Sequence, residues 1–355
     1  MTSLVAPAAI EPAPPDEFLR DGAPSIAVEE VPVCPVCTAG QFHTFTTGFD
    51  YELRTCANAW RFVRCAACTH VWLNPRPALD ALGVIYPPTY YAYNYETKIH
   101  PIALRGKAML DRWKMSGIVR RLARAPRSYL DVGCGSGRFL KAMEQRGICR
   151  ERLYGLELDE CVVADLAAQG YQVRCQRVET CDSIPDASID LITMFHVIEH
   201  VDDPAAVIRR LAAWLAPGGV LAIETPNIDS LDARLFHDRL WGGYHIPRQW
   251  NLFSASTLGG LLRDAALTVT DTLYQTGHSF WMYMNYHAAH HLWVSIPYYN
   301  LPQADRDARA AGRPHARVAR QLCPLPLALS SSAAARRVSR PVSCAGVGAR
   351  LTVLN

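Results

Sequence analysis

Between Ser128 and Gln275 the chain alternates short apolar runs with amphipathic stretches. Tyr129-Leu-Asp131, Arg152–Leu158, Asp190–Phe195, Val220–Thr225 and Leu267–Tyr274 read as strands. Arg138–Arg146 reads as a helix stopped by Gly147. Asp159 caps a helix over Glu160–Gln169 that ends at Gly170. Asp203 caps another, with Pro204 at its first position, running to Leu215. Ser254 caps Ala255–Ala266. Strands and helices in strict alternation, joined by short connections, predict an α/β fold with a doubly wound parallel sheet. Ligands of such a sheet sit beyond the carboxyl ends of its strands, where Asp131, Glu157 and His196 all fall.

Outside this stretch the pattern changes. Residues 1–30 are rich in Pro and Ala without apolar periodicity and read as a disordered tail. Residues 31–75 carry Cys34-Pro-Val-Cys37, then 27 residues, then Cys65-Ala-Ala-Cys68. Two such knuckles, each on a tight turn, place four thiolates around one structural zinc. Gln41–Phe45 and Trp60–Arg64 alternate like short strands between them. So short a stretch builds little core, and the metal supplies its folding energy. Asn74-Pro-Arg-Pro77 spans the boundary to residues 76–127, which hold the tyrosine run Tyr86–Tyr95 and a basic amphipathic helix over Leu104–Arg124. The tyrosines either line a ligand mouth or cement the ribbon to the large domain. Residues 128–300 form that domain. Residues 301–355 have no Phe, Trp or Tyr and no periodicity, and read as a disordered tail or the product of a shifted reading frame.

Charge sharpens this division. The net charge of +3 conceals a segment 301–355 with nine arginines against two aspartates. The remaining 300 residues are slightly acidic, with 27 basic and 31 acidic side chains. That balance disfavours a large phosphate-binding surface, and with it nucleic acid as a partner. No basic stretch leads into an apolar run at the N-terminus, and no run of about 18 apolar residues occurs. A cytoplasmic protein without a membrane span is expected. Its twelve cysteines then point to metal rather than disulfides.

The densest chemistry lies at Asp131-Val-Gly-Cys-Gly-Ser-Gly137. Three glycines between a strand and a helix allow a tight turn and close approach of the backbone to a ligand. The spacing is not G-x-G-x-x-G, which counts against a nicotinamide enzyme. Together with Glu157 at the next strand end, His196-Val-Ile-Glu-His200 after the third and Pro217-Gly-Gly219 before the fourth, this stretch resembles the class I S-adenosylmethionine-dependent methyltransferases. The resemblance covers about Ser128 to Gln275. It implies that Asp131, Gly133, Cys134, Gly135 and Gly137 surround the methionine part of the cofactor. It further implies that Glu157 holds the ribose and that Glu179 and Phe195 border the rest.

Two narrower resemblances concern chemistry. His196, Glu199 and His200 stand at i, i+3 and i+4, one face of a helix if the segment is helical. With the distant His245 they resemble the ligand set of ubiquinone-pathway and small-RNA O-methyltransferases, which implies a second divalent metal; His196 replaces the first glutamate of that set. Tyr244-His245 before Phe253-Ser254 is similar to the general-base pair of zinc-ribbon deoxysugar C-methyltransferases. Both make His245 the foremost catalytic candidate. The ribbon, Asn74-Pro-Arg-Pro77, the tyrosines and Thr225-Pro-Asn227 together resemble bacterial methyltransferases of glycan and secondary-metabolite pathways, implying a small-molecule acceptor. An RNA methyltransferase and a non-catalytic zinc- and cofactor-binding protein are the competing readings. His287-Ala-Ala-His-His291 also has ligand spacing, but among aromatics and without a carboxylate it reads as a packed helix.

Overall fold

A computed structural model describes residues 22–50, 52–87, 101–235, 241–274 and 350–354. Expectations for the first 21 residues, for Tyr90–Tyr95, for His287, His290 and His291, and for the arginine-rich end up to residue 349 lie outside the described residues. Five short strands come first: β1 (Val28–Glu29), β2 (Phe42–Gly48), β3 (Trp60–Cys65), β4 (Val71–Leu73) and β5 (Arg76–Pro77). A one-turn helix α1 (Leu82–Ile85) and the long α2 (Pro101–Val119) follow. β2, β3 and β4 form an antiparallel meander, with the two cysteine knuckles at one end. Thr38 and Thr69, each one residue past a knuckle, share a left-handed backbone with φ of 61° and 66°. Their N–H groups donate to the carbonyls of Cys34 and Cys65. The same turn is thus built twice.

The large sheet comprises β6 (Tyr129–Val132), α3 (Arg138–Glu144), β7 (Leu153–Glu157), α4 (Glu160–Ala168), β8 (Gln172–Cys175), β9 (Ile189–Phe195), α5 (Pro204–Trp214) and β10 (Leu215–Glu224). It continues through α6 (Leu231–Leu235), β11 (Asn251–Leu252), α7 (Ala255–Asp264), β12 (Thr268–Leu273) and β13 (Arg350–Leu354). Of these, β11 belongs elsewhere. The other seven strands run parallel in the order β12-β13-β10-β9-β6-β7-β8. From β6 the chain steps outward to β7 and β8, then returns to β9 on the other side. That reversal opens a crevice at the carboxyl ends of β6 and β9.

Alternation along β6 explains the two layers. Leu130 and Val132 pack on one face with Ile192, Met194, Leu211 and Trp214. Tyr129 packs on the other with Met115, Leu140, Met143 and Leu191. Helices cover both faces, so the central strand β9 is buried from Ile189 to Met194.

The expected caps are present. The Asp159 side chain accepts from the N–H groups of Cys161 and Val162, and Asp203 from that of Ala206. Ser254 and Thr257 form a reciprocal capping box. Two expectations change. Pro217-Gly-Gly219 is not a turn before a strand but an irregularity inside β10, where the register with β9 jumps between Leu215 and Val220. A Cβ at Gly219 would stand 2.9 Å from the Ala216 carbonyl oxygen, so the bulge needs glycine there. Arg350–Leu354, inside the stretch read as disordered, is a parallel strand between β10 and β12. Its place between two strands is set by partners more than 75 residues away along the chain, not by the arginine-rich stretch that precedes it.

The ribbon does not close on itself. β11 adds to it as a fourth strand, Asn251 opposite Trp72 and Leu252 opposite Val71. Among the described residues, no helix is long and apolar enough to cross a membrane.

Candidate functional site

A cleft of about 910 Å³ opens at the carboxyl ends of β6, β7, β9 and β10. Its floor is the glycine turn, and each glycine answers a different constraint. Gly133 (φ 73°) directs its own N–H and that of Cys134 at the Leu156 carbonyl, at 2.8 and 3.1 Å. A Cβ there would stand 2.4 Å from Val197 Cγ2. Gly135 (φ 47°) has open space around it, and its N–H donates to Glu157 Oε2 at 2.8 Å. Gly137 (φ 72°) precedes α3, and a Cβ there would meet Leu166 Cδ2 of α4 at 2.5 Å. Gly133 and Gly135 therefore face the cleft, whereas Gly137 lets α3 start against α4. Cys134 lies beneath the turn beside Gly155, and burial holds its thiol well above the usual range.

The acidic strand ends are arranged around this floor. Asp131 is buried; its Oδ1 accepts from Thr193 Oγ1 at 2.7 Å, and Oδ2 has no hydrogen-bond partner. Burial pushes its carboxyl up to about 7, against the Thr193 hydrogen bond and the Arg138 charge. Glu157 also lines the cleft, its Oε1 accepting from the Leu158 N–H at 2.7 Å. Further along the wall, Gln176 has a buried Oε1 without a partner, and Glu179 faces Arg177. Burial pushes the Glu179 carboxyl upward. Phe195 closes the other side, edge-on to Phe139 at 5.3 Å.

The histidines separate. His196 takes a left-handed backbone (φ 55°), and only Ile198–His200 form a helical turn, of the 3-10 type. His196, Glu199 and His200 consequently do not share one helical face. The His196 ring lies between two carboxylates, Nδ1 3.4 Å from Glu199 Oε1 and Nε2 3.3 Å from Glu224 Oε1. Burial alone would lower its pKa, but the two carboxylates raise it to about 10, so the ring is an imidazolium at neutral pH. Glu199 is itself buried and accepts from Thr225 Oγ1 at 3.0 Å. His200 donates from Nδ1 to the Arg248 carbonyl at 2.7 Å, with the Tyr86 hydroxyl 3.3 Å away. Its pKa is lowered, chiefly by burial and further by the charges of His245 and His196. His245 is outside the cleft wall; its Nδ1 pairs with Glu52.

Several cleft residues escaped the sequence reading, Glu224 and Lys114 among them. Glu224 ends β10 and bridges His196 to Lys114 of α2, whose Nζ reaches Glu224 Oε2. The strand-end rule that singled out Asp131 and Glu157 applies equally to Glu224. Lys114 offered no signal, because nothing in its helix shows which turn meets the cleft.

Metal-ligand atoms converge in one place among the described residues. The four sulfurs of Cys34, Cys37, Cys65 and Cys68 lie within 4.8 Å of one another. Cys34–Cys68 and Cys37–Cys65 are 3.6 and 3.5 Å apart, near the roughly 3.8 Å of a tetrahedral zinc thiolate site. The second divalent site expected from His196, Glu199, His200 and His245 does not assemble. His196 faces two carboxylates, while the Nδ1 atoms of His200 and His245 are engaged by Arg248 and Glu52.

A methyltransferase-domain family model matches residues 110–272, and a fatty acid desaturase model matches residues 245–322, mostly outside the described residues. A probable S-adenosylmethionine-dependent methyltransferase of Mycolicibacterium smegmatis is 33% identical over 159 residues, 44% of this chain and 58% of that protein. The chain thus spans little over half of that relative. A ubiquinone biosynthesis O-methyltransferase of Pseudomonas fluorescens is 31% identical over 175 residues, 45% of this chain and 72% of the relative. Among solved structures, the 1,6-didemethyltoxoflavin-N1-methyltransferase of Burkholderia thailandensis aligns with a TM-score of 0.40 at 21% identity, covering 59% of this chain and 85% of that one.

Proposed function

We propose that this chain, which belongs to the S-adenosylmethionine-dependent methyltransferase family, methylates a small molecule, a hydroxyl of a sugar or secondary metabolite, with carbon as the other acceptor class. The observation that carries this reading is Asp131. A buried carboxylate with one oxygen unpartnered, facing a cleft floored by glycine, suits the ammonium of an amino-acid moiety. S-adenosylmethionine supplies, when bound, a methyl group already activated on sulfur.

The chain's own residues have to bind, align and deprotonate. Asp131 would hold the amino group and Glu157 the ribose hydroxyls, while Gln176 and Glu179 would border the base. His200 is the proton acceptor in this reading. A carbonyl can only accept, so the bond to Arg248 keeps the His200 proton on Nδ1 and leaves Nε2 with its lone pair. Its lowered pKa keeps the ring neutral. His196, charged and doubly paired, is no base at neutral pH and serves to order the strand end. His200 lines the cleft, whereas His245 does not. The relatives named as O-methyltransferases support oxygen as the acceptor atom. Four cysteines would hold zinc and so stabilise the ribbon.

Calorimetric titration of S-adenosylmethionine and its demethylated product tests the cofactor reading. A screen of nucleotide sugars and phenols with labelled cofactor, wild type against His200→Ala, then tests the reaction. Cofactor uptake with turnover lost in the variant is expected. No uptake by the zinc-loaded protein would overturn the assignment.

A further inference from the structure

We infer that the zinc ribbon is a positioning element of the active site: Asp50 and Glu52, after β2, clamp the segment His245–Arg248, whose Arg248 carbonyl fixes the tautomer of His200. The inference rests on the reading of His200 as proton acceptor.

Arg248 is fully buried, and its guanidinium uses all five donors. Nη1 donates to Asp50 Oδ1 and the Ile246 carbonyl, both at 3.0 Å. Nη2 donates to Asp50 Oδ2 at 3.0 Å and Thr55 Oγ1 at 3.2 Å, and Nε to the Ile85 carbonyl at 2.8 Å. Asp50 also accepts from the N–H and hydroxyl of Thr55, at 2.7 and 2.6 Å. The ribbon's long loop, helix α1 and the segment before β11 therefore meet at one side chain. Three residues earlier, His245 pairs with Glu52 and holds a left-handed backbone of φ 35°. A non-glycine residue keeps that conformation only where its surroundings over-determine it. The N–H groups of Arg248 and Gln249 close the turn on the His245 carbonyl, at 2.8 and 3.3 Å.

On the far side of this clamped turn lies the chemistry. The Arg248 carbonyl receives Nδ1–H of His200, and two residues on the Trp250 N–H donates to the Glu199 carbonyl at 2.8 Å. A buried ion pair is a poor source of stability, because desolvation offsets its attraction. Its directional fork is what apolar packing cannot supply. Here the fork orients the peptide carrying the carbonyl that His200 reads. Asp50 and Glu52 are thus positioning residues, acting on the acceptor's base through the backbone of Arg248.

The test uses the full, zinc-loaded chain labelled with 15N-histidine, because imidazole nitrogen shifts report which ring nitrogen carries the proton. In the wild type at neutral pH, His200 is expected as the Nδ1–H form. In Asp50→Asn it is expected to become a mixture of tautomers, while His70, buried in the ribbon against Asn251, keeps its signal and the zinc content is unchanged. A purely structural role for Asp50 would disturb His70 together with His200. Where Asp50→Asn does not fold, Glu52→Gln, which leaves the buried pair intact, is read in the same way. A His200 tautomer unchanged in a folded variant overturns the inference. Cofactor calorimetry on the wild type separately reports whether the methyltransferase reading holds.

Discussion

Thr193 Oγ1 donates to Asp131 Oδ1 at 2.7 Å, with the Tyr129 hydroxyl 2.5 Å from Thr193 Oγ1, so one carboxylate oxygen has a hydrogen-bond partner and its twin has none. Burial raises this carboxyl to about 7, above the 3.8 of an exposed aspartate. The ionised form is therefore disfavoured by folding, and Asp131 costs stability increasingly as pH rises from about 4 to 7. On the proposed reading of Asp131 as the ammonium partner, cofactor binding needs that ionised form. Affinity for S-adenosylmethionine should rise with pH up to about 7 and then level off, as read by calorimetry across pH. Asp131→Asn should weaken binding by about tenfold or more, the loss of one charge-assisted hydrogen bond. It should also raise the melting temperature above neutral pH. An affinity independent of pH in the wild type would count against Asp131 as the ammonium partner.

His196 and Glu224 shift in complementary directions. The imidazole is raised to about 10, and Glu224 is lowered to about 2 by His196 and Lys114 against the effect of burial. The histidine's contribution is fully present below its unfolded value of 6.5 and lost as pH rises through about 10. The glutamate's is present above 4.5 and lost as pH falls towards 2. Since the His196 side chain is 58% exposed, solvent screens part of this coupling. In Glu224→Gln the His196 titration should move down towards the ordinary range, measured by NMR. An unmoved titration would show that Glu199 alone holds the charge.

The glycine turn yields a contrast between neighbours. Gly133→Ala meets Val197 and a positive φ, and should abolish cofactor binding with little change in α3. Gly137→Ala meets Leu166 instead and should destabilise the fold by about 1–3 kcal/mol. Combining it with Leu166→Ala should cost less than the sum of the two single variants, measured by denaturant unfolding. Additive losses would mean that the two side chains do not compete for space.

Zinc should be bound at one ion per chain and lost in Cys34→Ser or Cys65→Ser. Because β11 pairs with β4, removal of zinc by a chelator should raise hydrogen exchange not only in β2–β4 but also at Asn251 and Leu252. Exchange confined to the ribbon's own residues would show that β11 holds without it.

Most of the fold was legible along the chain because its determinants are local. The caps at Asp159, Asp203 and Ser254, the glycine turn after Asp131 and the two cysteine knuckles each lie within a few residues, where spacing decides geometry. Glu157 and Asp131 reached the cleft as strand-end carboxylates should. The histidines did not follow their spacing, because a positive φ at His196 broke the helical face that i, i+3 and i+4 presuppose.

By itself the sequence determined the alternation of strands and helices between Ser128 and Leu273, the two cysteine knuckles and the glycine turn, all set by neighbours along the backbone. Tertiary structure alone decided which titratable groups meet. Glu52 stands 193 residues from His245, Asp50 stands 198 from Arg248, and Lys114 stands 110 from Glu224. Pairings over such separations follow from how layers pack and where a ribbon takes its last strand. Burial and pairing follow from that packing, so which of His196, His200 and His245 meets a carboxylate and which a backbone carbonyl could be read only after folding.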